Sequence, residues 1–548
     1  MKPIAIKLYL LFLILPIYSN NWINSKNILY DDLENIKILG ISDTPILNIL
    51  PINKIEAAKY ILKKRYNKNE NFFIQRIHNT YKKYKPIIEK NKYYDFSLLE
   101  FFSLSSSLVS QMPKHENQAG IIERKGLNVF IQGSHYLDIG YYPYLWFSLN
   151  LHHGLQVSQN INNDLDSEEI FFYKRKRKIF DLNVLPEADY KLLNGSIKFN
   201  VFNLLISYSK EQLWFGPSKH GSLLMTNNAE PIPLFSLKTF ESIKTPIGKF
   251  HYQVFLGKLE HDRILPDTHF TGFRFDYSPV KYIELGITKT ALAYNKYQDY
   301  QFLISLFLSN FQLKATYIDH GPTQGWLDFS SIKPVRKFHI PIENTRDDIR
   351  MGADFRIYIP VIHTMLYGEI AFEDWSHSLQ YTLMTGAGMN YVYSFGLKIV
   401  NPFSLKNISF RLEYHHFAVY PNNFNPIMFY THSRHKSGYT HEGKLIGKPG
   451  LELEHQDIFL EVIRDFEKFR VTASLDFEKT GLLIEYYDPD YIPQFRLQWI
   501  NNIIFYKFSK FPIEIQIEIA NEWYINLLNR LDSTLYNFWL SFNFKYTF

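Results

Sequence analysis

LYNFWLSFNFKYTF, from Leu535 to Phe548, is the stretch on which the fold turns. Tyr536, Phe538, Leu540, Phe542, Phe544, Tyr546 and Phe548 share one parity and are all apolar or aromatic. Asn537, Ser541, Asn543, Lys545 and Thr547 take the other parity, with Trp539 as its exception. Side chains along a strand point alternately to opposite faces, so the pattern makes a strand with one greasy and one wet side. The same period recurs upstream. Phe250, Tyr252, Val254 and Leu256 share a face, as do Phe355, Ile357 and Ile359 against Asp354, Arg356 and Tyr358. Ile408, Phe410, Leu412 and Tyr414 oppose Ser409, Arg411, Glu413 and His415. Phe469 to Glu478 and Ile513 to Ile519 repeat it, the latter setting four isoleucines against Glu514, Gln516 and Glu518. Each segment is about ten residues long, the length with which a tilted strand crosses the hydrocarbon layer.

Composition supports a membrane setting and excludes spanning helices. Aromatic residues make up 17% of the chain, more than a soluble protein ordinarily carries, while barrels place aromatic girdles at both bilayer interfaces. Mean hydropathy is −0.21, and no apolar run reaches the roughly 18 residues of a spanning helix. Residues 1–19 read as a secretory signal peptide: Lys2 and Lys7 precede the short apolar run Leu8 to Ile17, with cleavage placed after Ser19. There is no cysteine, which excludes disulfides and a lipid-modified N-terminal Cys. Net charge is +6 and the basic residues gather on no single predicted element, so no nucleic-acid partner is implied.

Three further segments follow the signal peptide. Residues 20–45 are polar and read as a linker. Residues 46–116 carry helical spacing: Ile55, Ala58, Ile61 and Leu62, then Phe73, Ile77, Tyr81, Tyr84 and Ile88, then Phe96, Leu99, Phe102 and Leu108. They predict a small periplasmic helical domain. From residue 117 to 548 the period is two throughout.

The fold class that follows is mostly β, a transmembrane antiparallel barrel with a small N-terminal helical bundle. About 430 residues at roughly 24 per strand and connection give about 18 strands. Closure pairs every backbone group and leaves no edge, and the polar parity faces the lumen. Lumenal charges interleave in sign: Arg356, Arg411, Arg470 and Arg496 against Glu369, Glu373, Glu413, Glu514 and Glu518. Such charges pair across the lumen, and Arg356, Glu369, Glu373 and Arg411 are read as a network that locks it, favouring a partly filled barrel over an ion-selective pore. A C-terminal strand ending on Phe548 is similar to the terminal signal by which outer-membrane barrels are handed to the insertion machinery. The expected location is the outer membrane, with its lipid and lipopolysaccharide as neighbours.

One stretch does not alternate. Gln212 to Pro233, QLWFGPSKHGSLLMTNNAEPIP, holds Trp214, Gly216, Pro217, Gly221, Asn227, Asn228, Pro231 and Pro233. Gly and Pro set backbone angles and Asn caps free backbone groups, which makes a structured, inward-folded loop. Tryptophan with paired amides is also a sugar-gripping set, the ring stacking on a pyranose face and each amide offering donor and acceptor. Both readings of Trp214, Asn227 and Asn228 stand at this point.

This stretch resembles the WGP…LL…N-A-x-P-x-P signature of the capsule assembly protein Wzi family. Further matches follow in order: Asp319-His320-Gly321-Pro322 with Gln324-Gly325, Arg350 to Arg356 as RxGxDxR, Glu369 to Trp375, Arg411 to Tyr414, and Gly438 to Gly447 as GYxxxGxxLG. The resemblance covers most of residues 200–465. It implies an outer-membrane barrel of eighteen strands with a helical bundle on the periplasmic side. It also implies a lectin-like, non-enzymatic role in binding and anchoring capsular polysaccharide or exopolysaccharide at the cell surface. The alternative function is a porin-like channel for sugars or other small solutes.

The run Lys174, Arg175, Lys176, Arg177 and Lys178 lies between strand segments and is a second candidate for glycan, or for lipopolysaccharide phosphate, as well as for a plain solvated loop. Histidines gather at His415, His416, His432, His435 and His441, but neighbours on a strand point to opposite faces, so no metal site and no cofactor are assigned. Ser433 sits near His432 and His435 without a surrounding nucleophile motif or acid, so no catalytic residue is assigned either.

Overall fold

The computed structural model describes residues 22–23, 28–62, 72–90, 92–111, 188–295, 345–373, 391–417, 492–506, 513–527 and 531–547, together with most of 116–158 and 429–480. The expected signal peptide and Phe548 lie outside these residues.

Eighteen antiparallel strands close into a barrel, as the alternation predicted. They are β1 Lys92–Val109, β2 Gly126–Tyr141, β3 Leu145–Ser158, β4 Ala188–Val201, β5 Leu204–Lys210, and β6 Pro233–Thr239, which Ile243–Thr245 extends. Next come β7 Gly248–Lys258, β8 His269–Ser278, β9 Ile283–Asn295, β10 Thr345–Ile359, β11 Thr364–Glu373 and β12 Tyr391–Val400. The set ends with β13 Ile408–His416, β14 His455–Asp465, β15 Phe469–Thr480, β16 Phe495–Phe505, β17 Ile513–Ile525 and β18 Thr534–Thr547. β18 pairs with β1, Ser541 opposite Ser107, and this seam completes the cylinder. Connections at one end are short, such as 142–144, 202–203, 279–282 and 360–363, whereas 159–187, 211–232, 296–344 and 417–454 at the other are long.

The two parities separate as expected. Leu104, Leu108, Leu127, Ile519, Leu540 and Phe542 face outward and are exposed, forming an apolar belt. Tyr141, Tyr144, Phe202 and Phe403 lie exposed near the short-turn end, and Tyr190, Trp523 and Tyr536 near the other, as girdles flanking that belt. Trp539, the exception in the opening stretch, turns inward: it packs with Val109 and Ala520, and its indole N–H donates to Glu518 at 3.0 Å.

Two boundaries differ from the sequence reading. Residues 92–109 are the first barrel strand, not a third helix, and they pair with β18 and β2 along most of their length. A register shift between Ser97 and Phe101 breaks the alternation, which is why helical spacing could be read there. The supposed linker contains helix α1, Ile28–Ile38, with every residue from Leu29 to Ile38 buried. Its Asp31, Asp32, Glu34 and Lys37 find partners on the barrel wall, so their polarity does not mark a solvated segment.

Helices α2 Lys54–Ile61, α3 Phe72–Tyr81 and α4 Lys85–Lys90 cover the short-turn end. The Asn53 side chain caps α2 by accepting from the Ile55 N–H at 2.8 Å. Leu33, Ile36, Ile55, Ala58, Phe73 and Ile77 form one core with Trp146 and Leu205 of the barrel strands, Phe240 at the rim and Trp214 of residues 211–232. Lys59 pairs with Glu241 at 2.8 Å, and Asn407 accepts from the Phe72 N–H at 2.9 Å, which fastens the helices to the rim.

Candidate functional site

One half of the lumen is filled from both ends. Helix α1 enters from the short-turn end, and residues 211–232 fold in from the long-loop end. They meet midway, where Ile49–Leu50 pairs antiparallel with Trp214–Phe215 and the Gly216 N–H donates to Asn48 O at 2.9 Å.

Glu34 is the centre of the α1 contact. Its carboxylate takes Arg411 Nη2 at 2.7 Å, Lys398 Nζ at 2.9 Å and Arg356 Nη1 at 3.3 Å, from three barrel strands. Burial alone pushes the Glu34 carboxyl up, but Lys398, Arg411 and Arg356 outweigh it and hold it at about 2. Around it Arg470 joins Asp31 and Asp32, each at 3.1 Å, and Lys37 pairs with Glu284.

The inward loop is held by two wall carboxylates acting on its backbone. Glu369 accepts from the N–H groups of Ser218 at 3.0 Å and Leu223 at 2.9 Å, and from the Ser222 hydroxyl at 2.9 Å. Glu413 accepts from the N–H groups of Lys219 at 2.7 Å and His220 at 2.9 Å, and from the Tyr367 hydroxyl at 2.7 Å. Loop donors buried in the filled half of the lumen need partners from the protein, and these carboxylates supply them. Gly216 has φ +126°, and a Cβ there would meet the Glu369 carboxylate at 2.5 Å.

Among the described residues the other half of the lumen is left open. A cavity of about 640 Å³ lies between α1, the inward loop and the wall formed by β14 to β18 with β1 and β2. Its lining mixes hydroxyl and amide groups with charged side chains, and Phe130 is its aromatic side chain on an inward position.

Residues 104–334 and 343–484 match the family described as capsule assembly protein Wzi. The chain belongs to that family. The barrel is similar to the structure of Wzi from Escherichia coli, an outer membrane protein involved in group 1 capsule assembly and described as a carbohydrate-binding β-barrel. The two share 15% sequence identity and a TM-score of 0.64, over 96% of this chain and 100% of that one. A shorter stretch of 101 residues is 25% identical to an uncharacterized 55.8 kDa protein in the cps region of Klebsiella pneumoniae, spanning 17% of this chain and a fifth of that relative's length. With its closed, belted barrel, this Wzi-family protein is an outer-membrane protein.

In this Wzi-family barrel the residues singled out in the sequence fall into three groups. Arg356, Glu369, Glu373 and Arg411 are lumenal and buried. Arg356 and Arg411 bind Glu34, Glu369 holds the loop, and Glu373 lies 3.7 Å from Arg350, which pairs with Asp348 at 2.8 Å. Trp214, Asn227 and Asn228 are buried within the inward loop. The Trp214 ring is covered by the helices and its indole N–H donates to Ser218 O at 3.1 Å, so it offers no open stacking face. Asn228 Nδ2 donates to Leu445 O at 3.0 Å, and Asn227 O accepts from the Ala119 N–H at 2.7 Å. The Asn227 contact is through its backbone carbonyl, and its side-chain Oδ1 has no partner among the described residues, so the structure favours the loop-building reading for Trp214 and Asn228. Lys174, Arg175, Lys176, Arg177 and Lys178 lie outside the described residues, as do Asp319 to Gly325, His432 and Ser433.

His415 is lumenal and bonds Asp457 at 2.8 Å, while His416 turns outward against Tyr393. Among the described residues two groups of potential metal ligands converge: His220 with Asp457 and Asp476, and Glu260 with His441 and Glu442. Chain cations already occupy both, since Lys448 and Arg496 sit on the two aspartates and Arg263 on Glu260. Sequence reading missed Glu34 and the wall of the open half, where the signal was the polar parity of β16 to β2.

Proposed function

We propose that this protein binds capsular polysaccharide or a related exopolysaccharide and anchors it at the cell surface, without catalysing a reaction. The observation that carries the reading is the two-sided filling of the lumen. An outer-membrane barrel that a helix and a loop lock with buried ion pairs is a fixed scaffold rather than a wide diffusion pore. Family membership, and the carbohydrate binding described for the E. coli barrel, supply the ligand class. The short-turn end, with α2 to α4, is assigned to the periplasm and the long-loop end to the exterior, because outer-membrane barrels have short periplasmic turns and longer outer loops. The basic run Lys174–Lys178 is a further candidate contact for acidic glycan or lipopolysaccharide phosphate. Strand β18 is the segment offered to the insertion machinery.

The test compares cell-bound with shed polysaccharide in a deletion strain. Glycan released into the medium with unchanged permeability is the expected result, and full retention on deleted cells would refute the reading. Steady single-channel conductance of the intact protein in planar bilayers would instead favour the solute channel.

A further inference from the structure

The open half of the lumen carries a feature that no single strand shows. Cross-strand register places Asn502 of β16 opposite Glu518 of β17, Glu518 opposite Ser541 of β18, Ser541 opposite Ser107 of β1, and Ser107 opposite Asn128 of β2. Five consecutive strands therefore present one continuous row of amide, carboxylate and hydroxyl groups to the cavity, all five residues lining it. The side-chain oxygens of Asn502 and Ser541 have no hydrogen-bond partner among the described residues. Phe130, two residues along β2 from Asn128, lines the same space as an apolar ring.

Several charges in the cavity are already committed, while Glu123 Oε2 has no hydrogen-bond partner among the described residues. Asp31 takes Lys219 and Arg470, each at 3.1 Å, Arg411 lies 3.4 Å from Glu461, and Glu518 accepts from Trp539. Lys545 lies over the Phe101 ring, 4.4 Å from its centroid, with Glu514 opposite it across the β17–β18 pair. What stays available is neutral hydrogen-bonding capacity, with the Glu123 carboxylate oxygen as a further acceptor, beside an aromatic face. This matches the hydroxyls and the apolar ring face of a sugar and disfavours an acidic one. The volume lies within the roughly 300–1,000 Å³ of ordinary small-ligand sites.

We infer that the cavity seats a short run of uncharged sugar residues of the retained polysaccharide, so that glycan enters the half-open lumen instead of resting only on the outer loops. This rests on the glycan-anchoring function proposed above and assigns its seat.

The chain has no cysteine, so a single introduced thiol reports on one place. Ser541→Cys and Asn502→Cys are made in the full-length protein, purified in detergent, with His261→Cys on the exposed β7–β8 loop as the outer control. Each is labelled with a small water-soluble methanethiosulfonate. The probe is the polysaccharide shed by the producing strain, cut by mild acid into oligosaccharides, and its binding to the wild-type protein is measured separately by calorimetry. Saturating fragment should slow labelling at positions 541 and 502 by about tenfold and leave position 261 unchanged. If fragments bind but neither cavity thiol is protected, or if neither thiol reacts at all, the cavity is not the seat, while the anchoring function stands. If neither fragment nor intact polysaccharide binds, both readings fall. Two cavity positions keep the outcome decisive should one variant fail to fold.

Discussion

Glu34 Oε2 accepts from Arg411 Nη2 at 2.7 Å, although 377 positions separate the two residues in sequence. This contact, shared with Lys398 and Arg356, makes the N-terminal helix part of the barrel interior. Replacing one partner of a buried charge cluster leaves the others uncompensated, at a cost of about 3–5 kcal/mol. Glu34→Ala strands three cations in the lumen and should loosen α1 from the wall. The expected signs are protease cleavage near residues 28–38 in the intact barrel and the onset of conductance in planar bilayers. An uncleaved, silent Glu34→Ala protein would show that the cluster does not hold the plug.

That contact also marks the limit of what the sequence discloses. Strand β17 is legible because Ile513, Ile515, Ile517 and Ile519 meet lipid while Glu514, Gln516 and Glu518 meet the lumen, and two environments write two parities. Helix α1 was illegible because Asp31, Asp32, Glu34 and Lys37 are polar yet fully enclosed, and their partners lie hundreds of residues away. Strand β1 was masked by the irregularity between Ser97 and Phe101. The row from Asn502 to Asn128 could not be read from any segment, since it exists only once the register of five strands is set. For the inward loop, Gly and Pro punctuation indicated a structured fold, while Trp214, Asn227 and Asn228 also allowed a sugar grip as the second reading. Burial of Trp214 and the bond from Asn228 to Leu445 O speak for the first.

The loop itself can be tested at Gly216. Its φ of +126° is one that side-chain-bearing residues rarely adopt, and the space a Cβ would need is taken by the Glu369 carboxylate. Gly216→Ala should therefore break the Glu369 contacts to Ser218, Ser222 and Leu223, with strain of about 1–3 kcal/mol in the backbone alone. Loss of protease resistance confined to residues 211–232, with the barrel intact, is the expected pattern. Wild-type resistance would mean that Glu369 can move aside without unseating the loop.

The helical cap should respond to pH through Glu56. This carboxyl is buried and accepts from the Ser242 N–H at 3.0 Å. Burial, joined by the neighbouring Glu241 carboxylate, pushes it from 4.5 up to about 7. An acid whose pKa rises on folding binds its proton more tightly in the folded state. Its contribution is thus complete below its unfolded pKa and is lost as pH rises from about 4.5 through 7, a change of roughly 3 kcal/mol. Thermal unfolding of the cap should be better resisted at pH 5 than at pH 8, and Glu56→Gln should remove most of that difference by raising the pH 8 value. The same pH slope in Glu56→Gln would assign the effect to another group.

Trp214 separates packing from recognition. As a surface platform for sugar, its removal would abolish glycan binding and leave the fold intact. As found, the ring sits in the core shared by α1 to α3 and the barrel, next to the point where Leu50 pairs with it. Trp214→Ala should then cost about 3–5 kcal/mol, the range for emptying a buried aromatic site, and expose the helices to protease. Glycan binding by the variant should fall only under conditions in which the cap has come loose. Trp214→Phe, which keeps a ring but loses the bond to Ser218 O, should recover most of the stability. Full stability of Trp214→Ala with lost glycan binding would restore the sugar-stacking role and place the seat at the inward loop rather than along the Asn502 to Asn128 wall.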